Sequence, residues 1–365
     1  KWVGGAFFKS LLRPSASLQA SRFYLFNGMR KIFKISGFVF AVMVIFSAIY
    51  FFIAEGSFLK ERADITFGVT FSTLMARQLD LVPREVFDAI VDDIGVRKIR
   101  LPVYWSDIEK KKGEFEFTEY DFMIKKSEDA RVKLILVVGR KLPRWPECHI
   151  PEWSRSLSEE EFEKAVQNQM RVVVERYRNS PALEIWQIEN EPFHVFGASC
   201  AQEKISAQSV DAEISLIRSL DSHPIMMTDA GKAGFWFTSL RRADIIGVTM
   251  YYQVWNPMRK VVWSTFGPGL FWLKRKILEP FFPNKEFMVA ELQGEPYGPE
   301  LLPFYDLKLQ KELMNVDRFR ETIRRARKAG FQENYFWGVE WWYWLKEKHN
   351  DPSMWNKAKN VLHNI

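Results

Sequence analysis

Cysteine is nearly absent: Cys148 and Cys200 are the two in 365 residues. A disulfide framework cannot organise a chain of this size, so a hydrophobic core must do so. Histidine is scarce too, at five residues. None stands at metal-ligand spacing, so no metal site is expected and no cofactor is called for. Acid is missing from the whole N-terminus, where the first carboxylate is Glu55. Residues 1–34 carry seven basic residues: Lys1, Lys9, Arg13, Arg22, Arg30, Lys31 and Lys34. The remainder then holds 45 basic against 45 acidic residues, so the formal net charge of +7 belongs to the N-terminal arm. A nucleic-acid-binding domain would carry its basic patch on its own folded surface, and that class is set aside.

Charge of either sign is absent from residues 35–54. Twenty residues at helical rise span about 30 Å, the thickness of a bilayer core. Basic residues precede the run and none follows until Lys60. The positive-inside bias therefore predicts a cytoplasmic arm (1–34), a transmembrane anchor (35–54) and an extracytoplasmic body. A cleaved signal is the alternative, but the run exceeds the usual h-region. Met29, followed by Arg-Lys-Ile-Phe-Lys, reads as a natural start for such an anchor. Residues 55–63 are a short connection to a body at 64–365. No long Pro/Ser/Gly linker and no repeat interrupts that body.

What is present is core-forming: 47% of residues are hydrophobic and 15% aromatic, with 14 tryptophans. Apolar strand patterns alternate with amphipathic helices. Strands are predicted at 65–71, 96–103, 132–138, 183–189, 224–228, 245–250, 286–292 and 334–339. Helices are predicted at 83–94, 118–130, 158–178, 201–220, 234–240, 315–328 and 352–363. Residues 260–282 read as a long, partly helical excursion. Eight strand–helix units favour a (β/α)₈ barrel, with its chemistry at the carboxyl ends of the strands. A doubly wound open sheet would announce a Gly-rich phosphate turn after its first strand, and Gly68-Val-Thr-Phe-Ser offers none.

The fourth strand runs LEIWQIENEP (183–192), and the proline stops the ladder just after a carboxylate. The seventh runs FMVAELQ (287–293), with Glu291 near its end. Period-two alternation aligns Gln187, Glu189 and Glu191 on one side of strand four, and Glu291 with Gln293 on strand seven. Glu191 and Glu291 can then both face the barrel axis. Two glutamates at two strand ends are what glycoside hydrolysis requires. Glu189 and Glu340 read as structural partners of buried charge. Strand two contributes Arg100, strand six ends in Tyr251 and Tyr252, and strand eight carries Trp337 and runs on to Trp341 and Trp342.

Over roughly residues 64–345 the chain resembles the clan A retaining glycoside hydrolases, the group that includes cellulases and β-glycosidases. WQIENEP is similar to the clan's Asn-Glu-Pro signature, and VAELQGEP resembles its strand-seven nucleophile segment. IRLPVYWSDIEKKKGEFEFTEYD is similar to the strand-two region. The resemblance implies that Glu191 is the acid/base, Glu291 the nucleophile and Asn190 a sugar-binding partner. It further implies that Arg100, with Tyr251 or Tyr252, hydrogen-bonds the nucleophile. Trp145, Trp337 and Trp341, with Arg144, are candidate sugar contacts, because a pyranose face stacks on aromatic rings. The histidines that cellulase-like families often carry are replaced by Val138-Gly139-Arg140 on strand three and Thr249-Met250 before Tyr251.

The expected activity is hydrolysis of O-glycosidic bonds of a poly- or oligosaccharide at the membrane. A transglycosylase and a non-catalytic carbohydrate-binding barrel are the alternatives. Cys148 and Cys200 fall in loops after adjacent strands, which suits a disulfide clamping the cleft wall, with two free thiols as the alternative.

Overall fold

The structure, a computed structural model, describes residues 16–194, 205–256, 258, 260–263 and 267–363. It divides into two units, residues 1–53 and 54–365. One long helix occupies Ala16–Glu55. Within it Ser36–Glu55 has a mean hydropathy of 2.5 and is long and apolar enough to cross a membrane.

The second unit is a closed barrel of eight parallel strands: β1 (Thr66–Thr70), β2 (Lys98–Pro102), β3 (Lys133–Val138), β4 (Leu183–Ile188), β5 (Ile225–Asp229), β6 (Ile245–Met250), β7 (Glu286–Gln293) and β8 (Glu333–Trp337). Each pairs with its sequence neighbours, and β1 closes on β8. Outward-facing strand residues meet the helices in one large core. Seven inward-facing residues fill the lower barrel: Ile135, Ile185, Met226, Ile245, Met288, Ala290 and Tyr335. At the amino-terminal ends of the strands, Lys98 Nζ donates to Glu184 at 2.9 Å and to Glu333 at 2.8 Å. The barrel interior is thus plugged from below, and this architecture places its ligand sites at the carboxyl-terminal mouth.

The helices start and stop for local reasons. Glu159–Tyr177 opens with a capping box between Ser158 and Glu161, beneath three successive glutamates that suit the positive end of the helix dipole. Val316–Ala329 is capped by Asn315, whose Oδ1 accepts from the Arg318 amide at 3.1 Å. It ends at Gly330, which takes φ 73°. Its buried residues Phe319, Ile323 and Ala326 recur at the spacing of one helix face, which seats it on the barrel.

Several elements depart from the sequence reading. The excursion after β6 is an antiparallel hairpin, Gln253–Asn256 with Lys260–Trp263, followed by the helix Pro268–Leu278. Strand eight stops at Trp337, and Val339–His349 is a helix after Gly338, whose φ is 113°. Glu340, Trp341 and Trp342 therefore sit in a first helical turn, not on a strand end. Strand four is not regular to its end either. It stops at Ile188, and Glu189 and Glu191 both take positive φ, at 55° and 44°. Alternation fails there, and the two carboxylates leave in different directions.

Candidate active site

Arg100 organises the mouth. It lies on β2 with no exposed surface, and its guanidinium reaches three side chains and the Ala290 carbonyl. Nη1 donates to Glu291 Oε1 at 3.0 Å, Nε to Gln187 Oε1 at 2.7 Å, and Nη2 to Asn190 Oδ1 at 2.9 Å. One arginine therefore fixes the ends of β4 and β7 to each other. Its planar fork suits this, because each donor has a set direction. The second oxygen of Glu291 accepts from the Tyr251 hydroxyl at 3.0 Å. Glu291 is 6% exposed and so faces an opening with both oxygens oriented.

Glu191 stands in a different setting. Its amide donates to Thr228 Oγ1 at 2.9 Å, which anchors the turn beyond β4. Burial raises its carboxyl to about 8, with the negative charges of Glu291 and Glu147 pushing the same way. Lys141 and the Thr249 side chain oppose this and do not prevail. At neutral pH Glu191 is predominantly protonated. The mouth thus presents a neutral carboxylic acid from β4 opposite a carboxylate held by Arg100 and Tyr251 on β7.

Glu147 is a third carboxylate at this site, and no sequence signal singled it out. It lies in the turn after β3, behind a cis Trp145–Pro146 peptide and with φ 68°. Asn190 Nδ2 donates to its Oε1 at 3.4 Å, and Lys141 Nζ is 3.3 Å from Oε2. Burial raises it to about 6, against the pull of Lys141 and with Glu291 adding to the rise. It was missed because a surface loop glutamate carries no periodicity to read.

The remaining candidates divide. Asn190, Arg100 and Tyr251 join the cluster. Trp145 stands at its edge, 45% exposed. Trp337 is buried beside it, its Nε1 donating to Glu295 Oε1 at 2.8 Å and one ring face covered by the Arg144 guanidinium at 4.0 Å. Tyr252 and Trp341 are not brought to the mouth. Tyr252 follows Tyr251 and so faces the other way, behind the sheet, packing on Phe271 and under Arg325. Trp341 is buried in its helix and donates to Gln310 Oε1 at 2.9 Å.

Glu189 is turned under the β3 loop. Its carboxylate accepts from the Arg140 amide at 3.0 Å and the Lys141 amide at 2.6 Å. His149 is likewise structural, with Nε2 against the Arg144 carbonyl at 2.8 Å, and burial lowers it to about 4. Cys148 is buried in the same loop. Its expected partner Cys200 lies outside the described residues. Among the described residues no group of three or more His, Cys, Asp or Glu is placed to hold a metal ion.

No protein-family model and no curated protein matches the sequence. Solved structures match the fold. A β-glucanase from Saccharophagus degradans, solved with cellotetraose, is 15% identical over 82% of this chain and 88% of that one, with a TM-score of 0.51. GH5_18 from Bifidobacterium longum is 10% identical over 75% of this chain and 70% of that one, at 0.52. A β-galactosidase from the Antarctic haloarchaeon Halorubrum lacusprofundi is 14% identical over 82% of this chain and 58% of that one, at 0.51.

The likeness is one of fold. The chain shares the (β/α)₈ barrel of glycoside hydrolases, at identities too low to carry activity or substrate across.

Proposed function

We propose that the barrel is a retaining glycoside hydrolase held at a membrane by the apolar helix, with its catalytic unit outside the cytoplasm. The observation that carries the reading is the contrast between the two glutamates: burial and neighbouring negative charge push the Glu191 carboxyl up to about 8, and Glu291 is paired with Arg100 at 3.0 Å. Separated acid and base roles at one mouth are what the double displacement needs.

In that mechanism Glu191 gives its proton to the glycosidic oxygen as the bond to the leaving group breaks. A Glu291 oxygen bonds to the anomeric carbon, forming a glycosyl-enzyme. Water then attacks that carbon, Glu191 takes the proton, and Glu291 leaves as a carboxylate. Arg100 and Tyr251 hold Glu291 in line and receive its charge back at the end of the cycle. Asn190, fixed by Arg100, offers its amide group to the sugar. Exposed Trp145 supplies an apolar face at the entrance.

The test is turnover of a panel of nitrophenyl β-glycosides by the full chain in detergent, with product configuration read by proton NMR at early times. Retained configuration, lost in Glu291→Gln, is the expected result. Inverted product, or equal turnover by Glu291→Gln, would refute the assignment. Resistance of the full chain to alkaline extraction from vesicles tests the anchor.

A further inference from the structure

The mouth of the barrel is not open on every side. The loop after β3, residues 139–149, folds back over the ends of β2 and β1. The Tyr104 hydroxyl, just past β2, donates to the Pro143 carbonyl at 2.9 Å and lies 2.6 Å from Ser72 Oγ, just past β1. Arg144 then reaches residues beyond the neighbouring strands β8 and β7. Its Nη1 donates to Glu295 Oε1 at 2.5 Å, beyond β7, and its Nη2 to Glu340 Oε2 at 2.8 Å, beyond β8. The other oxygen of Glu340 accepts from the Ser72 amide at 2.5 Å. In the closed ring β2, β1, β8 and β7 are consecutive, so the loop and Arg144 together wall that side of the mouth. Arg144, Glu295 and Glu340 are 6%, 8% and 0% exposed. Separating an ion pair this buried leaves uncompensated charge, so the bridge is a fixed wall.

We infer that this wall closes the glycone side of the site into a pocket for one sugar ring, so that the protein removes single terminal sugars. The inference rests on the retaining-hydrolase reading. Glu291 must reach the anomeric carbon, so the ring that becomes bonded to the protein lies over β7. Glu191 must reach the glycosidic oxygen, so the leaving group lies toward β4. A second glycone sugar would continue away from Glu191, past Glu291, toward β8 and β1. That space is taken by Arg144, its two carboxylates and the Trp337 ring beneath it. Arg144 is thus the residue that sets how many sugars fit, through bulk and not through contact with the reacting atoms.

Intact-mass labelling of the full chain tests this. The probes are 2-deoxy-2-fluoro glycosyl fluorides of glucose, galactose and mannose, each paired with the disaccharide that extends it at the non-reducing end. In each reaction Glu291 bonds to the anomeric carbon as the carbon–fluorine bond breaks and fluoride leaves. The expected result is a mass increase of one fluorosugar and none of a disaccharide. Arg144→Ala, or Arg144→Ser if the first does not fold, should gain the disaccharide adduct. A wild-type adduct of disaccharide size at a comparable rate overturns the pocket and leaves the retaining mechanism standing. No adduct from any probe overturns the retaining reading, and this inference with it.

Discussion

Arg100 and Glu291 form an ion pair at 3.0 Å in which the guanidinium has no exposed surface. Removing one member of such a pair strands the other. Arg100→Met should therefore destabilise the barrel by about 3–5 kcal/mol. At about 2–4 °C per kcal/mol for a domain of this size, a thermal melt should show a drop of about 10 °C. Glycosidase turnover should vanish as well, because Asn190 and Gln187 lose the same donor. A variant that melts with the parent would show that the pair is not a structural link between β2 and β7.

Tyr251 donates to the other oxygen of Glu291. A hydrogen bond to a charged group contributes about 1.5–3 kcal/mol, so Tyr251→Phe should slow turnover by about 10–100-fold. Tyr252→Phe should leave kcat near that of the parent, since its ring lies behind the sheet. Steady-state kinetics on the two variants decide between the adjacent tyrosines.

The elevated Glu191 carboxyl makes two pH predictions. In the proposed mechanism Glu191 acts only when protonated, so kcat/KM should fall as pH rises through about 8. Glu147→Gln removes one of the negative charges behind that elevation, and the alkaline limb should move to lower pH. Stability has its own sign. In the folded chain Glu191 binds its proton to about pH 8, whereas an unfolded glutamate releases it near 4.3. The folded state holds more protons in that window, so this group's contribution is complete below about pH 4 and is lost as pH rises to about 8. Glu191→Gln cannot ionise, so its melting temperature relative to the parent should rise between pH 5 and 8. A difference that stays flat across that range would contradict the elevation.

Gly139 takes φ 137°, and a Cβ there would lie 2.5 Å from the Glu189 carboxyl carbon. Gly139→Ala combines an unfavourable backbone with a collision against a buried carboxylate that orders the β3 loop. A loss of about 1–3 kcal/mol is expected from the backbone alone. Urea unfolding measures it. Activity should fall with it, because Glu147 and Arg144 lie on the same loop.

The barrel was legible in the chain because strand and helix periodicities are local. Residues 245–250 and Val316–Ala329 carry their pattern and caps within a few turns of sequence. Glu191 stands out in linear sequence as a carboxylate that ends an apolar strand just before a proline, and Glu291 as a carboxylate near the end of a second apolar strand. What tertiary structure decided depends on residues far apart in the chain. Tyr251 and Tyr252 are equivalent in sequence, and only the point where β6 ends sends one to the mouth and the other behind the sheet. Strand alternation put Glu189 beside Glu191, but two positive φ angles part them. Glu147 and Arg144 are two charges in a loop until that loop folds over β2 and β1. Folding brings the first to Asn190, beyond β4, and the second to Glu295 and Glu340. Periodicity follows from neighbours along the backbone, whereas a buried charge takes its meaning from partners that only folding supplies.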